Sequence, residues 1–84
     1  MNREDVFRKI AGVLAEQLDF PVGDITEASL FKENLDADSL DLVELLLMME
    51  EEYGISVSDD EAAEILTVGQ AVDLVMQRAV SKSK

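Results

Sequence analysis

The chain has 84 residues, 48% of them hydrophobic and 31% charged, a composition typical of one small folded domain. Seven basic residues stand against nineteen acidic ones, and the net charge of −12 disfavours nucleic acid and anionic membrane surfaces as partners. Cysteine and histidine are both absent, which excludes thiolate nucleophiles, disulfides, the usual zinc sites and histidine-based catalysis. We therefore expect a single domain over residues 1–84 that has no catalytic residues, holds no metal and works through its surface.

The acidic residues are unevenly distributed. From residue 33 to residue 77 there are thirteen of them and no Lys or Arg. Partners of this stretch should be basic, and the repulsion among thirteen uncompensated charges should cost stability that salt or Mg²⁺ restores. The longest apolar run covers only residues 45–49, and the N-terminus is acidic where a signal peptide is basic and then apolar. These features predict a cytoplasmic protein that does not insert into membranes.

Apolar residues at helical spacing predict a first helix over residues 3–19, with Asn2 as the N-cap and Pro21 as the stop. The following stretch, residues 20–37, mixes Pro, Gly, Asp and Ser with spaced apolar residues and predicts a long loop. A loop of this length is uncommon in a compact domain and is usually functional. We expect it to lie across the bundle, held by its apolar residues Val22, Ile25, Leu30, Phe31 and Leu35.

Asp38 can cap a second helix over residues 39–53, which Gly54 ends by taking the left-handed conformation. This helix has two apolar stripes. The wider one should face the core and consists of Leu42, Leu45, Leu46, Met49 and Tyr53. The second lies about 140° away on the helix and consists of Leu40, Val43 and Leu47, flanked by Glu44, Glu50 and Glu51. Either the helix is central and buries both stripes, or the second stripe is stray exposed apolar surface, or it is a docking face with an apolar centre and an acidic rim.

A short third helix is predicted from Asp60 to about Leu66, after a polar Ser58-Asp59 start. The residues Thr67-Val68-Gly69-Gln70 form a capping box that opens a fourth helix towards Ala79, and residues 81–84 are expected to be a frayed tail. The predicted fold is therefore all-α: a small four-helix bundle, with three longer helices and one short helix, and a long loop between the first two.

Ser39 directly follows the capping Asp38, so its hydroxyl lies in the first helical turn. Free backbone N–H groups and the positive helix end favour an attached phosphate there. The surrounding sequence, DADSLDLVEL at residues 36–45 and EEEYGI at residues 50–55, resembles the modification-site region of the acyl carrier protein family. The resemblance extends in order to DIT at 24–26, SLF at 29–31 and LTVGQAVD at 66–73.

The resemblance implies that Ser39 receives 4′-phosphopantetheine from coenzyme A through a Mg²⁺-using phosphopantetheinyl transferase. The thiol of that group then carries acyl chains as thioesters, and the chain is a carrier rather than an enzyme. This agrees with a hydroxyl that has no histidine to deprotonate it, since the activating base then belongs to another protein.

The resemblance also implies a surface for partner enzymes that carry basic patches. The expected partners are ketoacyl synthases, reductases, dehydratases and acyltransferases of fatty acid synthesis, visited by a monomeric carrier. The positions that match the family's recognition helix are Asp38, Leu40, Asp41, Val43, Glu44, Leu47, Glu50 and Glu51.

Two residues depart from the family pattern: Asp36 stands where many members have Gly, and Leu47 where Met is common. A specialised pathway, such as polyketide or lipid-A-type acyl transfer, therefore stays open. So does a different class of protein, an unmodified acidic helical adaptor that binds a basic partner through the second stripe. The resemblance further suggests that an acyl chain folds back between the helices; Met48 and Met49 would either line that space or fill the core, the latter being the better interpretation for Met49.

Overall fold

The computed structural model describes the backbone of residues 2–82 and the side chains of residues 2–78. Four helices follow one another along the chain: α1 (Arg3–Leu18), α2 (Ser39–Tyr53), α3 (Asp59–Glu64) and α4 (Val68–Lys82). A single 3-10 turn, Val22–Asp24, interrupts the loop between α1 and α2. Over residues 2–82 the β-type pairing is limited to one isolated antiparallel bridge between Leu30 and Thr67. The predicted all-α fold of three longer helices and one short helix is confirmed.

Helix α1 begins as predicted and ends one residue early. The Asn2 side chain accepts the N–H of Asp5 at 2.8 Å, which is the expected N-cap. The helix ends at Leu18 because Asp19 takes the left-handed conformation, with φ 54°, and its N–H returns to the carbonyl of Ala15. The chain has therefore already left the helix before Pro21.

Helix α2 has the predicted bounds at both ends. The Asp38 carboxylate accepts the N–H of Asp41, and the Asp41 carboxylate accepts the N–H of Asp38, each at 3.1 Å, which closes a capping box. Gly54 ends the helix in the left-handed region with φ 65°. Both ends of α2 are thus fixed by short-range interactions.

Helix α3 starts one residue earlier and ends two residues earlier than predicted. Ser58 and Glu61 form its capping box. The helix stops at Glu64 because the buried Ile65 takes an extended conformation and the N–H of Leu66 turns to the side chain of Gln70, at 2.6 Å.

Helix α4 opens on the predicted capping box. Thr67 Oγ1 accepts the N–H of Gln70 at 3.2 Å, and Gln70 Oε1 accepts the N–H of Thr67 at 3.0 Å. The helix continues through Lys82, beyond the predicted end at Ala79. Residues 83–84 of the expected frayed tail lie outside the described residues, so the fraying of 81–84 stays a prediction.

The core lies where α1 packs against α4 and α2. It contains Val6, Ile10, Ala11 and Leu14 of α1, Leu45 and Met49 of α2, and Val68, Ala71, Val72 and Val75 of α4. The assignment of Met49 to the core is confirmed, whereas Met48 is only half-buried. Helix α3 contributes no buried side chain, so it covers the edge of the bundle.

The long loop is held to the bundle by both side chains and backbone. Ile25, Phe31, Leu35 and Ala37 are buried, as a loop lying across the bundle requires. The prediction was wrong for Val22, which is 55% exposed because it opens the outward-facing 3-10 turn.

Backbone hydrogen bonds tie this loop to the start of α4. The N–H of Gly69 donates to the carbonyl of Glu27 at 2.9 Å, and the N–H of Val68 donates to that of Ser29 at 3.1 Å. A Cβ at residue 69 would lie 3.0 Å from the Glu27 carbonyl oxygen, so the close approach favours glycine. The Arg3 guanidinium adds ion pairs to Glu27 and Asp73, and these hydrogen bonds raise the pKa of Arg3 above its usual range.

Three of the thirteen acidic residues between 33 and 77 have cationic partners from outside that stretch. Asp73 pairs with Arg3, Glu61 with Arg78, and Glu52 with Lys9 at 3.8 Å. The expectation that all thirteen charges are uncompensated was therefore wrong, because folding brings α1 and the end of α4 alongside them. Within residues 2–78 the other ten form no ion pair, so most of the predicted repulsion remains.

Candidate functional site

Ser39 is the first residue of α2 and is exposed. Two N–H groups of this helical turn are occupied by Asp38, whose carboxylate accepts from Asp41 and whose carbonyl accepts from Leu42 at 3.1 Å. The N–H groups of Ser39 and Leu40 have no acceptor within the helix, as is general for a first turn. An anionic group on the Ser39 oxygen would therefore meet free donors and the positive end of the helix.

A cavity of about 360 Å³ lies beside Ser39, between the long loop, the start of α2 and α3. Most of its lining is apolar, with Phe31 and Ile65 as its buried members. The lining residues are Leu30, Phe31, Lys32, Glu33, Ser39, Leu42, Ala62, Ala63, Ile65 and Leu66. An exposed hydroxyl at a helix N-terminus, next to an apolar cavity, fits a phosphate-linked arm that carries an apolar load.

A compact turn at residues 31–37 of the loop leads directly to Ser39. The N–H of Ala37 donates to the carbonyl of Phe31 at 2.8 Å, and both residues are buried. Asn34 also closes the turn, because its exposed side chain accepts the N–H of Leu30 at 2.8 Å. Asp36 lies in the left-handed region with φ 55°, a conformation that favours glycine. A glycine at position 36 would therefore fit this backbone with less strain than aspartate.

The second stripe of α2 is exposed. Leu40 is 72%, Val43 49% and Leu47 54% accessible, whereas Leu45 and Met49 on the other side are fully buried. The interpretation of α2 as a central helix that buries both stripes is thus wrong, because α3 covers too little of it. Of the predicted site residues, Leu40, Val43, Glu44, Leu47 and Glu51 are exposed on α2 and Asp38 is exposed at its N-cap. We call this set the α2 docking face, after the role that the sequence predicts for it.

Two of the predicted recognition residues, Asp41 and Glu50, are half-buried and hold the structure together. The Asp41 carboxylate accepts the N–H of Asp38 and, at 3.2 Å, the Nε2 of Gln17 on α1. These hydrogen bonds, the Asp38 backbone first, hold the pKa of Asp41 below its usual range. Glu50 Oε2 accepts the N–H of Val57 at 2.9 Å, which fixes the segment after α2.

Four residues that contribute to this region were not among the predicted site residues. Gln17 and Val57 contact the site from other elements, and Lys32 and Leu66 line the cavity. Leu66 was assigned to the third helix, but it follows α3 and is 59% exposed. Only the unusual length of the loop hinted that its residues would reach Ser39.

The sequence and the structure both match known acyl carriers. The sequence profile described as the phosphopantetheine attachment site matches residues 8–75. The acyl carrier protein of Rubrobacter xylanophilus is 43% identical over 77 residues, which is 92% of this chain and 95% of that protein. The solved acyl carrier protein of Enterococcus faecalis superposes with a TM-score of 0.80 at 36% identity, covering 93% of this chain and 99% of the other. That of Thermotoga maritima gives a TM-score of 0.83 at 25% identity, covering 100% of this chain and 96% of the other.

These matches define the class as a phosphopantetheine-bearing carrier domain. The chain belongs to the acyl carrier protein family. It is accordingly a carrier rather than a catalyst, and the group it carries covalently is 4′-phosphopantetheine. Over residues 2–82 no helix is long and apolar enough to cross a membrane.

Proposed function

We propose that Ser39 bears the 4′-phosphopantetheine arm and that the loaded protein carries growing acyl chains between enzymes of fatty acid biosynthesis. The observation that supports this most is the exposed Ser39 hydroxyl at the N-terminus of α2, beside an apolar cavity of about 360 Å³. The arm supplies the thiol that the chain itself lacks, since the sequence contains no cysteine.

The residues around Ser39 have separate tasks in this proposal. The free N–H groups of the first turn and the helix end stabilise the phosphate charge once it is attached. The capping box between Asp38 and Asp41 fixes that turn, and Gln17 braces it from α1. The chain has no histidine, so the proton of the Ser39 hydroxyl passes to a base on the phosphopantetheinyl transferase.

The α2 docking face is proposed to bind the partner enzymes. Its apolar centre, Leu40, Val43 and Leu47, supplies the area that a partner can desolvate. Its acidic rim, Asp38, Glu44 and Glu51, favours enzymes with a basic patch and makes binding weaker as salt rises. Asp41 and Glu50 act on partners chiefly by holding this face in shape, because both residues are half-buried and their carboxylates accept hydrogen bonds within the protein, whereas Asp38 caps the helix and stays exposed. We propose that this acyl transfer takes place in the cytoplasm and that the carrier is a monomer.

The cavity beside Ser39 is proposed to take up the acyl chain. Its apolar lining is flanked by Leu42 of α2 and by Ala62 and Ala63 of α3, and α3 itself has no buried side chain. A weakly anchored α3 can shift outward to admit a chain. Core amides around Phe31 and Ile65 should then exchange hydrogen more slowly as the acyl chain lengthens, and identical exchange in free-thiol and long-acyl forms would count against this role.

Intact mass tests the assignment of Ser39. The purified protein, unmodified at the outset, is incubated with coenzyme A, Mg²⁺ and a broad-specificity phosphopantetheinyl transferase. We expect one phosphopantetheine adduct on the wild type and on the control S56A, which removes another exposed serine hydroxyl, and none on S39A.

The same experiment distinguishes the competing classes. An adduct on S39A would move the attachment to another residue. The absence of any adduct on a folded wild type would refute the proposal and favour the unmodified acidic adaptor, whose activity should survive S39A.

A further inference from the structure

Among residues 2–78, Lys32 is the only basic residue that lines the cavity beside Ser39. Along the sequence the next basic residue after it is Arg78. Five basic side chains are described within residues 2–78. Four of them form ion pairs, namely Arg3, Arg8, Lys9 and Arg78, and Lys32 forms none. A lysine without an anionic partner is unexpected in a chain with a net charge of −12.

A backbone turn between residues 31 and 37 separates Lys32 from Ser39, and both residues line the same cavity. The hydrogen bond from the N–H of Ala37 to the carbonyl of Phe31, at 2.8 Å, closes the turn between them. Lys32 directly follows one end of that bond, and Ser39 lies two residues beyond the other. Because Phe31 and Ala37 are buried, this turn is anchored and both Lys32 and Ser39 face the same cavity.

We propose that Lys32 pairs with the phosphodiester of the arm on Ser39 and so holds the first part of the arm beside the cavity. Lys32 is thus a positioning residue, and this role rests on the proposed attachment at Ser39. Modification at Ser39 adds a permanent anion, the phosphate, beside the cavity that the ammonium-bearing Lys32 also lines. Glu33 lines the same cavity, so the phosphate competes with a neighbouring carboxylate, and it has the added support of the α2 N-terminus.

Lysine acetylation measured in the wild-type chain, before and after modification, tests the pairing without any risk of misfolding. An ion pair at an exposed site contributes about 0.2–1 kcal/mol, so we expect Lys32 to react about 1.4- to 5-fold more slowly in the modified form at low salt. Lys9, which pairs with Glu52 on another face, is the internal control and should react equally in both forms. High salt should remove the protection of Lys32, because the interaction is between exposed charges.

Phosphorus NMR of the modified protein gives a readout that a purely structural role would not move. The phosphodiester resonance should shift with salt in the wild type and in K32R, and it should lose that dependence in K32M. The variant K9M should behave as the wild type.

The outcomes separate the two proposals. If no adduct forms on Ser39, the attachment fails first. If the adduct forms but Lys32 reacts equally in both forms, or its protection survives high salt, or K32M keeps the salt-dependent phosphorus shift, then the pairing is refuted while the attachment stands.

Discussion

Leu45 and Leu47 allow a matched test of the two stripes of α2. Both are leucines near the middle of the same helix, but Leu45 is fully buried whereas Leu47 is 54% exposed. L45A should cost about 2–5 kcal/mol, the range for leucine truncation in a core. L47A should lower the free energy of unfolding by no more than about 1 kcal/mol. Leu47 is only about half buried, so it gains roughly half of the 1.5–3 kcal/mol that full burial of a leucine supplies. The higher helix propensity of alanine offsets a few tenths of a kcal/mol of this loss.

The two variants should have opposite effects on stability and on binding. A domain of this size has a total stability of about 4–13 kcal/mol, so L45A removes a large share of it and is measured by urea unfolding at low temperature. If L45A does not fold, L45V gives a milder version of the same comparison. Binding to a ketoacyl synthase should weaken about fivefold or more in L47A, because truncating a central interface residue costs upward of about 1 kcal/mol. Folded L45V should bind as the wild type. Equal stability losses in the Leu45 and Leu47 variants, or unchanged binding by L47A, would refute the division of α2 into a core stripe and a docking stripe.

Three further predictions follow from the backbone, the charges and one tyrosine. D36G should stabilise the protein by up to about 1 kcal/mol in urea unfolding, because a left-handed conformation costs a non-glycine residue about 1–2 kcal/mol and the greater chain entropy of glycine in the unfolded state cancels part of that gain in stability. D36A should destabilise the protein. The reverse order of the two variants would contradict the strain argument. The melting temperature should rise with NaCl or Mg²⁺, because ten acidic residues between 33 and 77 have no ion pair within residues 2–78 and added cations screen their mutual repulsion. A melting temperature that does not change with salt would show that this repulsion is unimportant. Burial, and then the charges of Glu52 and Asp5, raise the pKa of Tyr53, so the folded state holds the phenol proton more tightly than the unfolded state does. The stability that comes from the raised pKa of Tyr53 is complete below the unfolded pKa of about 10 and falls as pH rises through the folded pKa. Y53F should therefore lose less stability than the wild type between pH 9 and pH 11. Parallel losses in the two proteins would contradict the shift.

The starts of α1, α2 and α4 could be predicted, and that of α3 to within one residue, because their signals are local. Asn2, Asp38, Ser58 and Thr67 each cap the helix that follows through a partner three residues on. The angle between the two stripes of α2 likewise depends only on helical geometry. The sequence left three interpretations of the second stripe, and excluding the one in which the stripe is buried required knowing how little of α2 is covered by α3.

The remaining features depend on residues far apart in the sequence. The Gln17–Asp41 hydrogen bond joins residues 24 positions apart, and the Arg3–Asp73 ion pair joins residues 70 apart. No local pattern marks such partners, since they meet only when α1 packs against α2 and α4. The early end of α3 has the same origin, because Ile65 leaves the helix to enter the core and leaves Leu66 exposed at the cavity.

Helix α2 combines tasks that could have been assigned to separate elements. Its inward stripe fixes it against the core, its outward face presents the apolar and acidic residues, and its first residue is Ser39. From Ser39 to Glu51 the helix covers thirteen residues, and the twelve steps between them span about 18 Å at 1.5 Å per residue. Because this segment is one continuous helix, an enzyme docked as proposed on the outward face would also meet Ser39 at a defined distance and direction. The capping box and the Gln17 hydrogen bond hold the first turn of α2 in place. Fraying of this turn would move Ser39 relative to the α2 docking face.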